Sequence, residues 1–147
     1  MRRSWTAMIL LTATALACTG GGVVVTPDDD VPTRVDVDLG RDFAMGVRDT
    51  VHVEDVDVVL YFDRVGSDSR CPSDVQCPWS GDATVHLEVS TEDGETDPQQ
   101  ITLHTNLEPR STSIMGVTIQ LVYLNPYPRS TAPINPWSYE ATILVTR

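Results

Sequence analysis

Apolar and polar residues alternate with a period of two along most of the chain from Val35 onward, the spacing that turns successive side chains to opposite faces of a strand. Ala83, Val85, Leu87 and Val89 alternate with Thr84, His86, Glu88 and Ser90 without exception, which predicts a half-buried strand. Tyr139, Ala141, Ile143 and Val145 repeat the pattern near the C-terminal end. Residues 56–65 place Val56, Val58, Leu60 and Phe62 on one face. In residues 117–124 both parities are largely apolar, which predicts a strand covered on both sides. Shorter runs at Val35/Val37/Leu39, Val51/Val53 and Ile101/Leu103 complete the set, and no window of the body carries a helical stripe. The fold class that follows is all-β, an antiparallel β-sandwich or small barrel of seven or eight strands, with turn residues clustered between them. Residues 91–99, centred on Asp93-Gly94, read as the loop of a hairpin.

The first residues follow a different rule. Arg2 and Arg3 precede an uncharged stretch from Trp5 to Leu16, too short for the ~20 apolar residues of a membrane-spanning helix but suited to an export signal. Ala15-Leu16-Ala17-Cys18 resembles the lipobox of bacterial lipoproteins, which implies acylation of Cys18 and cleavage before it. That divides the chain into a signal peptide at residues 1–17, a lipidated Cys18 with a flexible acidic tether at 18–33, and one β-domain at 34–147. The expected location is lipid-anchored at the cell membrane or outer membrane, facing the periplasm or exterior. Thr19 rather than Asp after the cysteine implies the outer membrane where two membranes exist. Asp28, Asp29 and Asp30 in the tether are read as solvated carboxylates rather than a cation site.

Charge narrows the function classes. The 147 residues carry 10 basic and 21 acidic residues, net −11, and every basic residue is arginine. Loss of residues 1–17 removes Arg2 and Arg3, leaving 8 basic against 21 acidic residues, net −13. Such a chain lacks the phosphate-neutralising surface of nucleic-acid binders. Without lysine it holds no P-loop and no Schiff-base nucleophile. Asp36 and Asp38 alternate on a strand, with Leu39 where a calcium loop needs an oxygen ligand. No cofactor motif is present.

Cys71 and Cys77 enclose five residues, and in an exported protein the pair reads as a disulfide. A zinc site would find only two of four ligands here, and a redox pair would want C-x-x-C. Asp68-Ser69-Arg70-Cys71-Pro72, followed by Cys77-Pro78-Trp79-Ser80-Gly81, resembles the DSRCP and C-x-W-x-G signature of a family of small bacterial lipoproteins. The resemblance spans Val56 to Val89, implies a disulfide and a β-rich fold, and implies no activity.

Asp68, Arg70 and Trp79 form a candidate recognition loop: Arg70 can fork onto Asp68, Asp74 or Asp82, while Trp79 covers the disulfide or the open end of the sandwich. Tyr127 and Trp137 lie in a proline-rich loop that can receive a glycan or a protein partner. If the hairpin pairs Val89 with Ile101 and Leu87 with Leu103, His86 and His104 stand opposite one another, with Cβ atoms about 4.5–5.5 Å apart, close enough to share a metal ion with Glu88 as third ligand. The leading expectation is a lipid-anchored, non-enzymatic binding or envelope-associated module. Its rivals are a protease inhibitor presenting Arg70 and a metal-binding protein or hydrolase using His86 and His104.

Overall fold

A computed structural model describes residues 35–130 and 132–147; the expected signal segment, Cys18 and the expected tether lie outside the described residues. Among the described residues there are nine strands: β1 (Val35–Val37), β2 (Asp42–Gly46), β3 (Thr50–Val53), β4 (Val58–Asp68), β5 (Ala83–Ser90), β6 (Gln99–His104), β7 (Ser111–Ile114), β8 (Val117–Asn125) and β9 (Glu140–Thr146). They form two sheets, ordered β1-β3-β4-β5-β6 and β2-β9-β8-β7, with every pairing antiparallel except β1 with β3. The fold is a sandwich rather than a closed barrel. Two strands exceed the sequence expectation at its lower bound because β2 and β7 are edge strands of five and four residues, too short for alternation to register. Among the described residues no helix is long and apolar enough to cross a membrane.

The core lies between the sheets, where the inward parity of each strand meets that of the facing sheet. Leu60, Phe62, Val85, Leu87 and Leu103 from the first sheet and Ile119, Leu121, Ile143 and Val145 from the second are fully buried. The alternation read in β5 and β9 holds residue by residue. In β8 it does not. A bulge between Leu121 and Tyr123 inserts one residue, so the inward parity switches and Leu124 rather than Tyr123 enters the core. Val122 and Tyr123 are 40% and 48% exposed, so β8 is buried on one face instead of two.

Two bulges do similar work in β4, between Phe62 and Arg64 and between Val65 and Ser67. The inward series is Val58, Leu60, Phe62, Val65, Asp68 and then Arg70: the first bulge puts Val65 inward in place of Arg64, and the second restores the original parity, so a carboxylate and a guanidinium stand on the core side at the end of the sheet. Asp68 pairs with Ala83, whose small side chain leaves space there.

The β5–β6 register differs from the expected one by two residues: Leu87 pairs with Ile101, His86 with Thr102 and Thr84 with His104. A two-residue slip keeps every apolar residue inward, so the hydrophobic pattern cannot choose between the two registers. The choice is made at the strand end. Thr105 donates its backbone N–H to the Ala83 carbonyl at 3.1 Å, Ala83 donates to the Thr105 hydroxyl at 2.8 Å, and His104 Nδ1 donates to Asp82 at 2.6 Å.

The β8 bulge predicts opposite outcomes for two neighbouring apolar residues. Val122→Lys should change stability by no more than about 0.5 kcal/mol, the usual range for a surface site. Leu124→Lys buries an unpaired charge and should cost more than about 3 kcal/mol or abolish folding. Urea denaturation of both variants checks this, and equal sensitivity would contradict the parity switch.

Candidate functional site

Strand direction gathers four connections at one end of the sandwich: residues 47–49, 69–82, 105–110 and 126–139. Arg70 joins them. Its Nε and Nη2 donate to the two oxygens of Asp68 at 2.9 and 2.6 Å, and its Nη1 and Nη2 donate to the carbonyls of Leu124 and Pro126 at 2.6 and 2.9 Å. The hydroxyl of Tyr139, at the start of the β9 segment, donates to Asp68 at 3.0 Å. The guanidinium therefore ties the end of β4 in the first sheet to the end of β8 in the second, and the Asp68 carboxylate extends the tie to Tyr139 beside β9.

Burial alone would raise the Asp68 pKa, but hydrogen bonds and charge from Arg70, together with the Tyr139 hydroxyl, outweigh it and hold the carboxyl below its ordinary value. Burial would lower the Arg70 pKa, and Asp68 reverses this to a net increase. The Tyr139 phenol is pushed up to about 12 by burial and by its bond to the Asp68 carboxylate.

Further bonds brace the loops. Cys71 and Cys77 form the expected disulfide, and Cys71 donates its N–H to the Ser80 carbonyl at 2.7 Å. Gly81 has a φ of +68°, and a Cβ there would collide with the Ser69 carbonyl, so glycine is required where the loop re-enters β5. Ser130 donates its N–H and hydroxyl to Asp74 at 2.9 and 2.6 Å, stitching the proline-rich loop to the disulfide loop. Asp82 accepts from the Thr105 hydroxyl at 3.1 Å and the Asn106 N–H at 2.8 Å, and Asn106 Nδ2 donates to the Gly81 carbonyl at 2.7 Å. Burial raises the Asp82 pKa, but His104 and these donors bring it down overall.

The candidate recognition residues therefore separate. Asp68 and Arg70 are internal, and with an Arg70 side chain 2% exposed the protease-inhibitor reading lacks the accessible arginine it needs. Asp68 is the acid that takes the fork, whereas Asp74 and Asp82 serve the neighbouring loops. Trp79 covers neither the disulfide nor the sandwich end, being 75% exposed. Trp137 is 61% exposed, with the Arg48 guanidinium over its ring at 4.5 Å, and Tyr127 lies 5.0 Å from the Arg70 guanidinium. Tyr139 was legible as an inward residue but not as the partner of Asp68; the signal was a core phenol that needs a hydrogen-bond partner.

The histidine pairing is corrected by the register. His86 and His104 lie on a diagonal, and their Nδ1 atoms are already engaged by Thr102 at 3.0 Å and by Asp82. Glu88 accepts from Gln100 at 3.3 Å. Among the described residues no group of three His, Cys, Asp or Glu side chains is arranged to hold a metal ion. Burial first, then the charge of Arg64, lowers the His86 pKa.

Charge is segregated along the sandwich. The four connections at the Arg70 end hold four arginines and four acids, while residues 38–42, 54–57 and 91–98 at the opposite end hold nine acids and one arginine. Between the 105–110 loop and the end of β8 opens a cleft of about 180 Å³, lined by Arg70, Asn106, Arg110, Val122, Tyr123 and Tyr127 above Leu121 and Leu124. Neither Arg110 nor Tyr123 carried a sequence signal for this role, because the bulge that turns Tyr123 outward is not visible in the alternation. No family model, no curated protein and no solved structure matches the chain.

Asp68→Asn should lose about 3–5 kcal/mol, the cost of leaving a buried arginine without its counter-charge. Tyr139→Phe should lose about 1.5–3 kcal/mol, the scale of a hydrogen bond to a charged group, and remain foldable. Because folding depresses the Asp68 pKa, its stabilisation is full above the unfolded-state value near 3.9 and is lost as pH falls through the lower folded value. Urea midpoints measured between pH 2 and 6 should fall steeply with acid in the wild type and less steeply in Asp68→Asn, with Asp74, Asp82 and Asp93, whose carboxyls are also held below their ordinary value, supplying the remaining slope. Identical slopes would contradict the assignment.

Proposed function

We propose that the chain is a lipid-anchored, extracytoplasmic, non-enzymatic binding module that engages an envelope component through the Arg70 end of its sandwich. The observation that carries this reading is the exposure of Trp79 and Trp137 on loops that Arg70, Asp74 and Asp82 hold in place. Exposed aromatic residues on pre-organised loops bind with little loss of conformational entropy. The near-neutral charge of this end, on an otherwise acidic body, also favours close approach to a partner.

The anchor rests on the lipobox-like Ala15-Leu16-Ala17-Cys18 and on cysteine arithmetic, since the Cys71–Cys77 bond leaves Cys18 as the third cysteine. The Asp68–Cys71 and Cys77–Gly81 signature, which resembles that of small bacterial lipoproteins, supports the same reading.

Two measurements test it. Cys18→Ser should abolish incorporation of labelled palmitate and release the protein from the envelope fraction; retained label would end the lipoprotein reading. Crosslinking of the acylated protein in its native envelope should recover a stoichiometric component, and the double variant Trp79→Ala/Trp137→Ala should reduce recovery at least 10-fold while leaving the urea midpoint unchanged. Unchanged recovery would remove this end of the sandwich from the interface.

A further inference from the structure

The cleft beside Arg110 combines groups that together select a ligand class. Its lining includes the exposed residues Tyr123 and Tyr127, with Leu121 and Leu124 almost fully buried beside them. The Arg70 guanidinium in the lining is spent on Asp68, Leu124 and Pro126, and the Thr105 hydroxyl is spent on Asp82. Among the described residues the Arg110 guanidinium, Asn106 Oδ1 and the hydroxyls of Tyr123 and Tyr127 have no hydrogen-bond partner. Glu108 accepts the Arg110 backbone N–H at 3.0 Å, and Arg110 donates no side-chain bond to it. The Arg110 carbonyl accepts the Leu121 N–H at 2.9 Å, fixing the backbone from which the free guanidinium projects.

A volume of about 180 Å³ is below the ~300–1,000 Å³ of sites for drug-sized ligands and suits a single ring. One free guanidinium matches one carboxylate through parallel N–H donors. A phosphate polymer would call for several cations. The three uncharged polar groups decide between carboxylates. An aromatic acid would cover them without replacing their bonds to water, at a cost for each group left unmet, and a peptide terminus brings one N–H and one C=O per residue, strung along a chain rather than set around one ring. A polyhydroxylated ring supplies donors and acceptors to all three, and its C–H face gains dispersion contact with the tyrosine rings.

We propose that this cleft binds an acidic sugar residue, a pyranose bearing a carboxylate, with Arg110 on the carboxylate, Asn106 and the tyrosine hydroxyls on ring hydroxyls, and Tyr123 or Tyr127 against a ring face. The inference rests on the binding-module reading and gives that module a ligand class. Because the cleft is lined by residues other than Trp79 and Trp137, the two can be tested separately.

The test is titration of the ¹⁵N-labelled full-length protein in detergent with D-glucuronate and, separately, with D-glucose. Glucuronate should give saturable shifts at Asn106, Arg110 and Tyr123, with an affinity about 10-fold or more above that for glucose, and added salt should weaken it. Arg110→Gln should remove that preference, Arg110→Lys should retain part of it, and Tyr123→Ala should weaken both sugars. Equal affinity for the two sugars, shifts outside the cleft, insensitivity to Arg110→Gln or no binding of glucuronate would each overturn the proposal. If glucuronate fails while envelope crosslinking still depends on Trp79 and Trp137, the sugar site falls and the module stands. Loss of both results would overturn both.

Discussion

The Arg70–Asp68 pair is the constraint on which the functional end of this molecule depends. Taking two charges out of water is costly, and their attraction repays it only when geometry is good and the remaining donors are met. Here the fork is bidentate, two backbone carbonyls take further N–H groups, and Tyr139 donates to the carboxylate. The carbonyls belong to Leu124 of the second sheet and to Pro126 just beyond the end of β8, so the pair does at the open end what Phe62 and Leu121 do in the middle: it holds one sheet to the other. A polar clasp suits this place. Strands that end and turn away expose backbone carbonyls that no ladder partner can satisfy, and a planar guanidinium can reach two of them at once.

Bulges decide what surrounds the clasp. The first in β4 moves the inward parity by one, so that Val65 faces the core and Arg64 stays exposed, and the second restores the original parity, returning Asp68 and Arg70 to the side of Leu60 and Phe62. The bulge in β8 acts oppositely on its own strand. It releases Tyr123 to solvent, keeps Leu124 beneath, and aims the Leu124 carbonyl at Arg70. The β8 bulge thus serves both the carbonyl side of the clasp and the external cleft, consistent with bulges serving to re-aim side chains near sites.

What was legible in the sequence follows from the same physics. Unbroken alternation in residues 83–90 and 139–145 gave both the strands and their buried faces, because every inward residue is apolar and no bulge intervenes. The disulfide was readable from spacing and compartment. Register was not, since the slip of two that separates His86 from His104 preserves the apolar face and is decided by Asp82 and Thr105 at the strand end. The fork of Arg70 onto a nearby acid was readable, with Asp68 among the three candidates, but the depth of its burial was not. Its burial depends on carbonyls more than fifty residues away in sequence, and no local pattern encodes their convergence. Trp79 was misplaced in the other direction: large aromatic residues normally cover apolar surface, whereas this loop is closed by backbone bonds, the disulfide and the Asp74–Ser130 stitch, leaving the ring free.

On the lipid-anchored reading, the point at which the tether meets the fold becomes mechanically relevant. The chain enters through β1, which pairs in parallel with β3 from Val35↔Val51 to Val37↔Val53 at one edge of the first sheet. The residues between Cys18 and Val35 could extend at most about 60 Å, so thermal motion of the body against its anchor would load this edge first. A three-residue edge strand is the weakest paired element of the sheet, and the clasp residues lie on or beside β4, β8 and β9. Fraying of β1 under load would therefore leave the Arg70 end intact. On that reading, separation of the β1 edge from the clasped loops would let an anchored domain still present a fixed surface.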